Sequence, residues 1–203
     1  MAKNFLQDVY NGGTTDSREI YASWAATYDY EVQKNGYVTP KRVATALKEV
    51  VTDQSELILD YGCGTGLSGL ALQLVGFENI DGLDVSREMV RLAEKKSIYR
   101  NLKIFNPYTE MPVHPEQYKI ITAIGVIGAG AAPLQVFDDL FFLLPRGGLF
   151  AFSFNDHTLS DPEYEKKVER CLDGGDALLI HKSYGSHLPK ANLKSNIYIL
   201  KKL

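Results

Sequence analysis

An apolar strand ending in an acid, a turn with glycine at alternate positions, and a second strand ending in another acid can together bind a nucleoside. The run from Leu57 to Asp84, LILDYGCGTGLSGLALQLVGFENIDGLD, has this order. Asp60 closes the first apolar stretch, Gly62, Gly64 and Gly66 form the turn, and Asp84 closes the second stretch. Glycine is needed where the backbone turns sharply and must approach a ligand with no Cβ between them. The helix that follows offers its N-terminal N–H groups to the same ligand. A carboxylate at the tip of the second strand can accept hydrogen bonds from both hydroxyls of a ribose. Ser86 is the better cap for the next helix, which leaves Asp84 for that task.

Two nucleoside classes compete. Gly64, Gly66 and Gly69 satisfy the dinucleotide spacing G-x-G-x-x-G, with Asp84 twenty residues beyond Gly64. That fingerprint should begin as the strand ends, whereas Gly64 comes four residues after Asp60. Read from Gly62 the pattern is G-x-G-x-G, with Leu67 where the dinucleotide pattern wants glycine. A carboxylate at Asp60 opposes an anionic pyrophosphate and suits a ligand that carries an ammonium and a sulfonium. S-adenosylmethionine is such a ligand.

Asp60-Tyr61-Gly62-Cys63-Gly64-Thr65-Gly66 resembles the first motif of class I S-adenosylmethionine-dependent methyltransferases. Gly82-Leu83-Asp84-Val85-Ser86-Arg87-Glu88-Met89, with Ala93 further on, resembles their second. Trp24-Ala25 with Tyr28-Asp29 resembles the WA-x-x-YD helix of many small-molecule methyltransferases. The combination is most similar to the methyltransferase-like protein 27 (Williams–Beuren region) group, over residues 16 to 155. The resemblance implies S-adenosylmethionine as cofactor, S-adenosylhomocysteine as product, and a sheet of order 3-2-1-4-5-7-6. It assigns the cofactor to Tyr28, Asp60, Gly62, Cys63, Gly64, Gly66, Asp84, Val85, Met89, Asn106 and Ile124. Many relatives carry an aspartate after the third strand, and Asn106 stands there in this chain, with an amide oxygen that can accept from an exocyclic amine.

Strands are expected at 57–60, 79–83, 102–105, 118–124 and 148–154, each apolar enough for a buried parallel sheet. Helices are expected near 67–75, 87–97, 133–143 and 161–172. Before the sheet, Asp16 or Ser17 can cap a helix that aligns Ile20, Trp24 and Tyr28, and Thr39 with Pro40 can start another that buries Val43, Leu47 and Val50. Two last apolar runs, 177–183 and 195–201, flank a link containing Gly185 and Pro189, which suits an antiparallel hairpin. The expected fold is a doubly wound α/β sheet of seven strands, Rossmann-like, with that hairpin at its end. The expected organisation is one domain over 1–203: a helical lid over 1–38, whose Tyr21, Trp24, Tyr28 and Tyr37 exclude water, and an α/β core over 39–203.

The composition narrows the classes further. A chain of 203 residues, 45% hydrophobic and 23% charged, can bury a sizeable core. A net charge of −3 gives no electrostatic footprint for nucleic acid. Cys63 and Cys171 make no disulfide framework, no apolar run reaches the roughly 20 residues that span a bilayer, and MAKNFLQDVY lacks a signal-peptide core, so a cytoplasmic location and no membrane partner are expected. His114, His157, His181 and His187 show no paired ligand spacing, and no metal is expected. Tyr99-x-x-x-Lys103 matches a dehydrogenase pair but precedes the third strand, and Asn106-Pro107-Tyr108 lies on the wrong strand for the motif of amino-methyltransferases. No catalytic residue stands out, although His157 and Asn155 follow the fifth strand. The expected function is in-line methyl transfer to a small molecule; binding without catalysis and nicotinamide-dependent oxidoreduction are the alternatives. The sequence does not fix the acceptor atom or the oligomeric state.

Overall fold

Runs that are apolar at every position have no face to show water, so they become central strands covered on both sides. The computed structural model describes residues 17–109, 111–128 and 130–203, with side chains from Trp24 onward. The first half contains α1 (Ser17–Lys34), α2 (Thr39–Val50), β1 (Ile58–Tyr61), α3 (Leu67–Leu74), β2 (Ile80–Asp84), α4 (Arg87–Glu94) and β3 (Asn101–Ile104). The second contains β4 (Ile120–Ala123), α5 (Gln135–Leu143), β5 (Leu149–Asn155), α6 (Asp156–Leu159), α7 (Pro162–Asp173), β6 (Ala177–Leu188) and β7 (Leu193–Lys202). The sheet order is β3-β2-β1-β4-β5-β7-β6. β3 to β5 run parallel, and β7 returns antiparallel to β5 and pairs with β6 as a hairpin. The strand order reverses between β1 and β4, which opens a crevice beyond their carboxyl ends.

Alternation along each strand divides the core into two layers. Ile58, Ile80 and Ile120 sit side by side in register and pack with Val43 and Leu47 of α2 and Leu72 of α3. Their neighbours Leu59, Leu83 and Ile121 belong to the opposite layer, with Phe137 of α5 and the alternate Phe150, Phe152 and Phe154 of β5. Phe137 meets Phe150 and Phe152 edge-on at 5.3 and 5.4 Å. Each expected strand and helix is present, with ends that move by a few residues, but the expected burial fails at β3, which forms an edge of the sheet and is largely exposed. The side chains of Ile20 and Tyr21, the proposed cap Asp16 and the start of the lid fall outside the described residues.

The start of α2 departs from expectation. Val38, not Thr39, occupies the cap, with no side-chain hydrogen bond. Pro40 brings no N–H to the first turn, so one of the donors that a cap would serve is missing. Thr39 is fully buried and its hydroxyl turns instead to the hairpin, 2.8 Å from His187 Nδ1 and 3.2 Å from Ser195 Oγ. Arg42 binds the same hairpin, donating from Nη1 to the carbonyls of Ser186 and Ser195 and from Nη2 to that of Ser183. The first helix of the core and the last two strands are thereby locked together.

His187 is buried at 4% exposure, and desolvation pushes its imidazole down to about 4, against the opposing charge of Asp156 and with Arg42 and His157 reinforcing it. Below pH 6.5 the unfolded chain gains a proton there that the folded chain refuses, so stability falls as pH drops from 6.5 to about 4. A depression of that size corresponds to about 3 kcal/mol. Urea unfolding at pH 7 and pH 4 should therefore show a drop in the parent chain about 3 kcal/mol larger than in His187→Gln. Equal drops would mean that His187 takes its proton without unfolding.

Candidate functional site

Asp60 ends β1 on the side of α3, while Tyr61 lies in the layer of α5. The Asp60 carboxylate is fully buried and accepts from Ser68 Oγ at 2.5 Å, Tyr99 OH at 2.7 Å and Thr122 Oγ1 at 2.8 Å. Desolvation pushes it up, and the three hydroxyls oppose that shift. Its oxygens are spent on fixing α3, the approach to β3, and β4 around the turn. Asp60 does not line the cavity beyond the sheet. The expectation that it faces a ligand is corrected by the strand's alternation, which sends it behind the turn.

The turn itself reaches the cavity through Gly62, Cys63, Gly64 and Thr65. Gly62 has φ +67°, and a Cβ there would stand 2.4 Å from Val126 Cγ2, so any side chain is both strained and blocked. The Cys63 thiol is buried beside Gly82 and pushed far up, chiefly by desolvation, so it is no nucleophile at neutral pH. Gly66 sits behind as the cap residue of α3 and does not line the cavity. Gly69 explains the accidental dinucleotide spacing: a Cβ there would meet the Tyr99 hydroxyl at 2.5 Å. Its smallness serves helix-to-ring packing, not a pyrophosphate.

Asp84 caps the crevice from β2. Its Oδ2 accepts the Gly64 N–H at 2.8 Å and its Oδ1 the Ser86 N–H at 2.8 Å. Burial pushes the carboxyl up while the N–H groups of Ser86, Gly64 and Val85 oppose the shift. Ser86 caps α4 by accepting from the Met89 N–H, as expected. Asp84, Val85 and Met89 all line the cavity, as do Ile124 after β4 and Tyr28 of α1. Asn106 does not. It is exposed, and its Oδ1 accepts the Tyr108 N–H at 3.0 Å in a local turn.

The cavity measures about 900 Å³, at the upper end of the range for one small-molecule site. Its lining also includes Tyr37, expected among the lid aromatics, Tyr61 of the first motif, and Phe105, Val126, Gln135 and Asp139, for which no role was expected. Tyr61 adjoins the glycine turn, and the others come from four further stretches of chain. Only the helical phase of α5, which places Gln135 and Asp139 on one stripe, was open to inspection. His157 and Asn155 do not line the cavity, and Asn155 is used as the cap of α6. Among the described residues no cluster of histidine, cysteine or acids could hold a metal.

α1 closes over the turn through charge. Asp29 accepts from the Thr65 hydroxyl and from Lys96 Nζ at 2.7 Å, and the same ammonium donates to the Thr65 carbonyl at 2.6 Å. Trp24 is 3% exposed and meets Tyr28 edge-on at 4.7 Å. The segment expected to act as a lid is therefore held to the glycine turn by Asp29, directly through the Thr65 hydroxyl and also through Lys96. Lys96→Met should speed amide exchange in residues 24–34 by roughly threefold to tenfold, the scale of a partly exposed ion pair, and leave the strands unchanged. Unchanged exchange would mean that burial of Trp24 and Val32, with the Asp29 bond to Thr65, holds the helix.

A family model described as a methyltransferase domain matches residues 28–181. Human methyltransferase-like protein 27 is 29% identical over 157 residues, which cover 76% of this chain and 63% of that protein. The chain thus spans less than two thirds of that relative's length. Magnesium protoporphyrin IX methyltransferase from Synechocystis, solved with bound S-adenosylmethionine, superposes with a TM-score of 0.66 at 15% identity over 94% of this chain and 99% of that one. A chain of the Haloferax volcanii complex between the Trm112 activator and a methyltransferase reaches 0.70 at 14% identity, covering 92% of this chain and 97% of that one. The fold, the glycine turn between two acidic strand tips, and the family match over most of its length make this chain a member of the S-adenosylmethionine-dependent methyltransferases.

Proposed function

We propose that this chain transfers a methyl group directly, by in-line displacement, to a small molecule seated above the carboxyl ends of β4 and β5. The observation that carries the reading is Asp84: a buried strand-tip carboxylate, pinned to the Gly64 N–H, on the wall of a cavity of about 900 Å³. The bound cofactor supplies an electrophilic methyl on a cationic sulfur. Asp84 accepts from the ribose hydroxyls, and Val85, Met89 and Ile124 offer apolar surface to the base. Tyr28 and α1 exclude water, and the turn fixes orientation, the main lever for a displacement of this kind. A small acceptor is favoured by the short link of β6 to β7, Pro189–Ala191 with Asn192, which adds no further recognition surface.

Binding without transfer is a second reading, favoured by the structural use of Asp60 and Asn155 as hydrogen-bond partners. Turnover separates the two, since a transferase moves labelled methyl from the cofactor into a metabolite extract and a binding module moves none. Calorimetry should give micromolar affinity for S-adenosylhomocysteine, about −7 to −8 kcal/mol, and no heat with NAD. Asp84→Ala should weaken that affinity by about 1.5–3 kcal/mol, through lost charge-assisted hydrogen bonds. It should also cost about 1–3 kcal/mol of stability, because the Gly64 and Ser86 N–H groups lose their acceptor. Undiminished affinity in the folded variant would reduce Asp84 to a turn anchor.

A further inference from the structure

The cavity lining contains polar atoms that the cofactor reading does not use. Gln135 and Asp139 lie one turn apart on α5, and Gln135 Nε2 donates to Asp139 Oδ1 at 3.1 Å. A carboxylate only accepts, so this contact fixes the amide with its NH2 toward Asp139 and its oxygen free. That oxygen and Asp139 Oδ2 accept no hydrogen bond from any described residue. The Tyr61 hydroxyl lines the same wall and also bonds to no described residue. Desolvation and then the charges of Asp84 and Asp139 push that phenol up, so it stays protonated and adds one O–H donor beside the two acceptors. Among the described lining residues there is no lysine, arginine or histidine.

Such a wall asks its ligand for N–H donors and positive charge, and it repels phosphate and carboxylate. Tyr37, Phe105 and Tyr108 line the cavity with it and supply ring faces that suit a flat apolar body and a nearby cation. We propose that the methyl acceptor is a small arylalkylamine, recognised at its nitrogen by Asp139 and Gln135; its ammonium gives a proton to the water beside the exposed Asp139, and the freed lone pair forms the N–CH3 bond as the S–CH3 bond breaks and S-adenosylhomocysteine leaves. The proposal rests on the methyltransferase reading and names the substrate class of that site. Asp139 is exposed at the mouth in this state, where a single ion pair contributes little. Its discrimination grows as an aromatic body covers the carboxylate and water leaves.

The test uses the full chain saturated with S-adenosylhomocysteine, titrated calorimetrically with 2-phenylethylamine and tryptamine, and with 2-phenylethanol and phenylacetate as matched controls. The amines should bind at least about tenfold more tightly than the alcohol, with phenylacetate weakest. Asp139→Asn should erase the preference for amines, and Asp139→Glu should keep part of it. The affinity for S-adenosylhomocysteine should be the same in all three proteins. The proposal is overturned if neither amine binds, if the alcohol or the acid binds as tightly, or if Asp139→Asn keeps the preference. It is also overturned if Asp139→Asn loses cofactor affinity, which would assign the carboxylate to the amino group of the cofactor. Failure of the parent chain to bind S-adenosylhomocysteine would instead count against the methyltransferase reading, a separate and earlier result.

Discussion

A carboxylate without access to water sits at the end of β1, and the geometry of the site depends on its three hydroxyl partners. A buried charge left alone costs several kcal/mol, and each hydroxyl donated to it returns about 1.5–3 kcal/mol. Ser68, Tyr99 and Thr122 come from the first turn of α3, from the approach to β3, and from β4. Converging on Asp60, they define where α3 begins and how far it stands from the strands. Tyr99 then passes the constraint on, because its ring lies against Gly69 and Gly66 and admits no bulk at either. The cofactor turn is thus held from behind by polar bonds. Its front is left to backbone N–H groups and to Asp84.

The opposite end of the sheet is held by the same means with different chemistry. Arg42 gathers carbonyls from Ser183, Ser186 and Ser195, and the Thr39 hydroxyl bridges His187 and Ser195. These contacts pull the hairpin onto α2. His187 also meets Tyr37 edge-on at 5.2 Å, and Tyr37 lines the cavity. The hairpin therefore has a role in the site although none of its residues was singled out for chemistry. It braces one wall of the acceptor space.

What the sequence revealed follows from which signals are local. Continuous apolar runs, the glycine turn, the serine cap at Ser86 and the turn-rich link before β7 each depend on neighbouring residues, and each appears where expected. The direction of Asp60 was not legible, since strand phase decides whether an acid at the tip faces a ligand or a helix. Asn106 shows the same limit. It stands after β3 as expected, and its side chain turns to the Tyr108 N–H, outside the cavity lining. Thr39 failed as a cap because a partner nearly 150 residues away, His187, takes its hydroxyl. The acceptor wall was the least legible part, as Tyr61, Gln135 and Asp139 are ordinary residues that acquire a shared chemistry only when α5 is laid across β1.

One contact joins the two halves of the cavity. The absent Cβ of Gly62 is replaced by the side chain of Val126, with its methyl carbons 2.4 and 2.7 Å from where that Cβ would stand. Val126 belongs to the loop after β4, which carries Gly125 and leads toward Ala132 and Gln135 on the acceptor wall. The Gly125 N–H is in turn anchored to Ser153 Oγ of β5 at 2.9 Å. The glycine turn and the loop after β4 are consequently packed against each other, with no room for a Cβ between them. A displacement of one by a fraction of an ångström must be met by the other. Under the proposed in-line transfer, in which alignment counts for more than any acid or base, this close packing of backbone and a single valine is what keeps the turn and the loop in register.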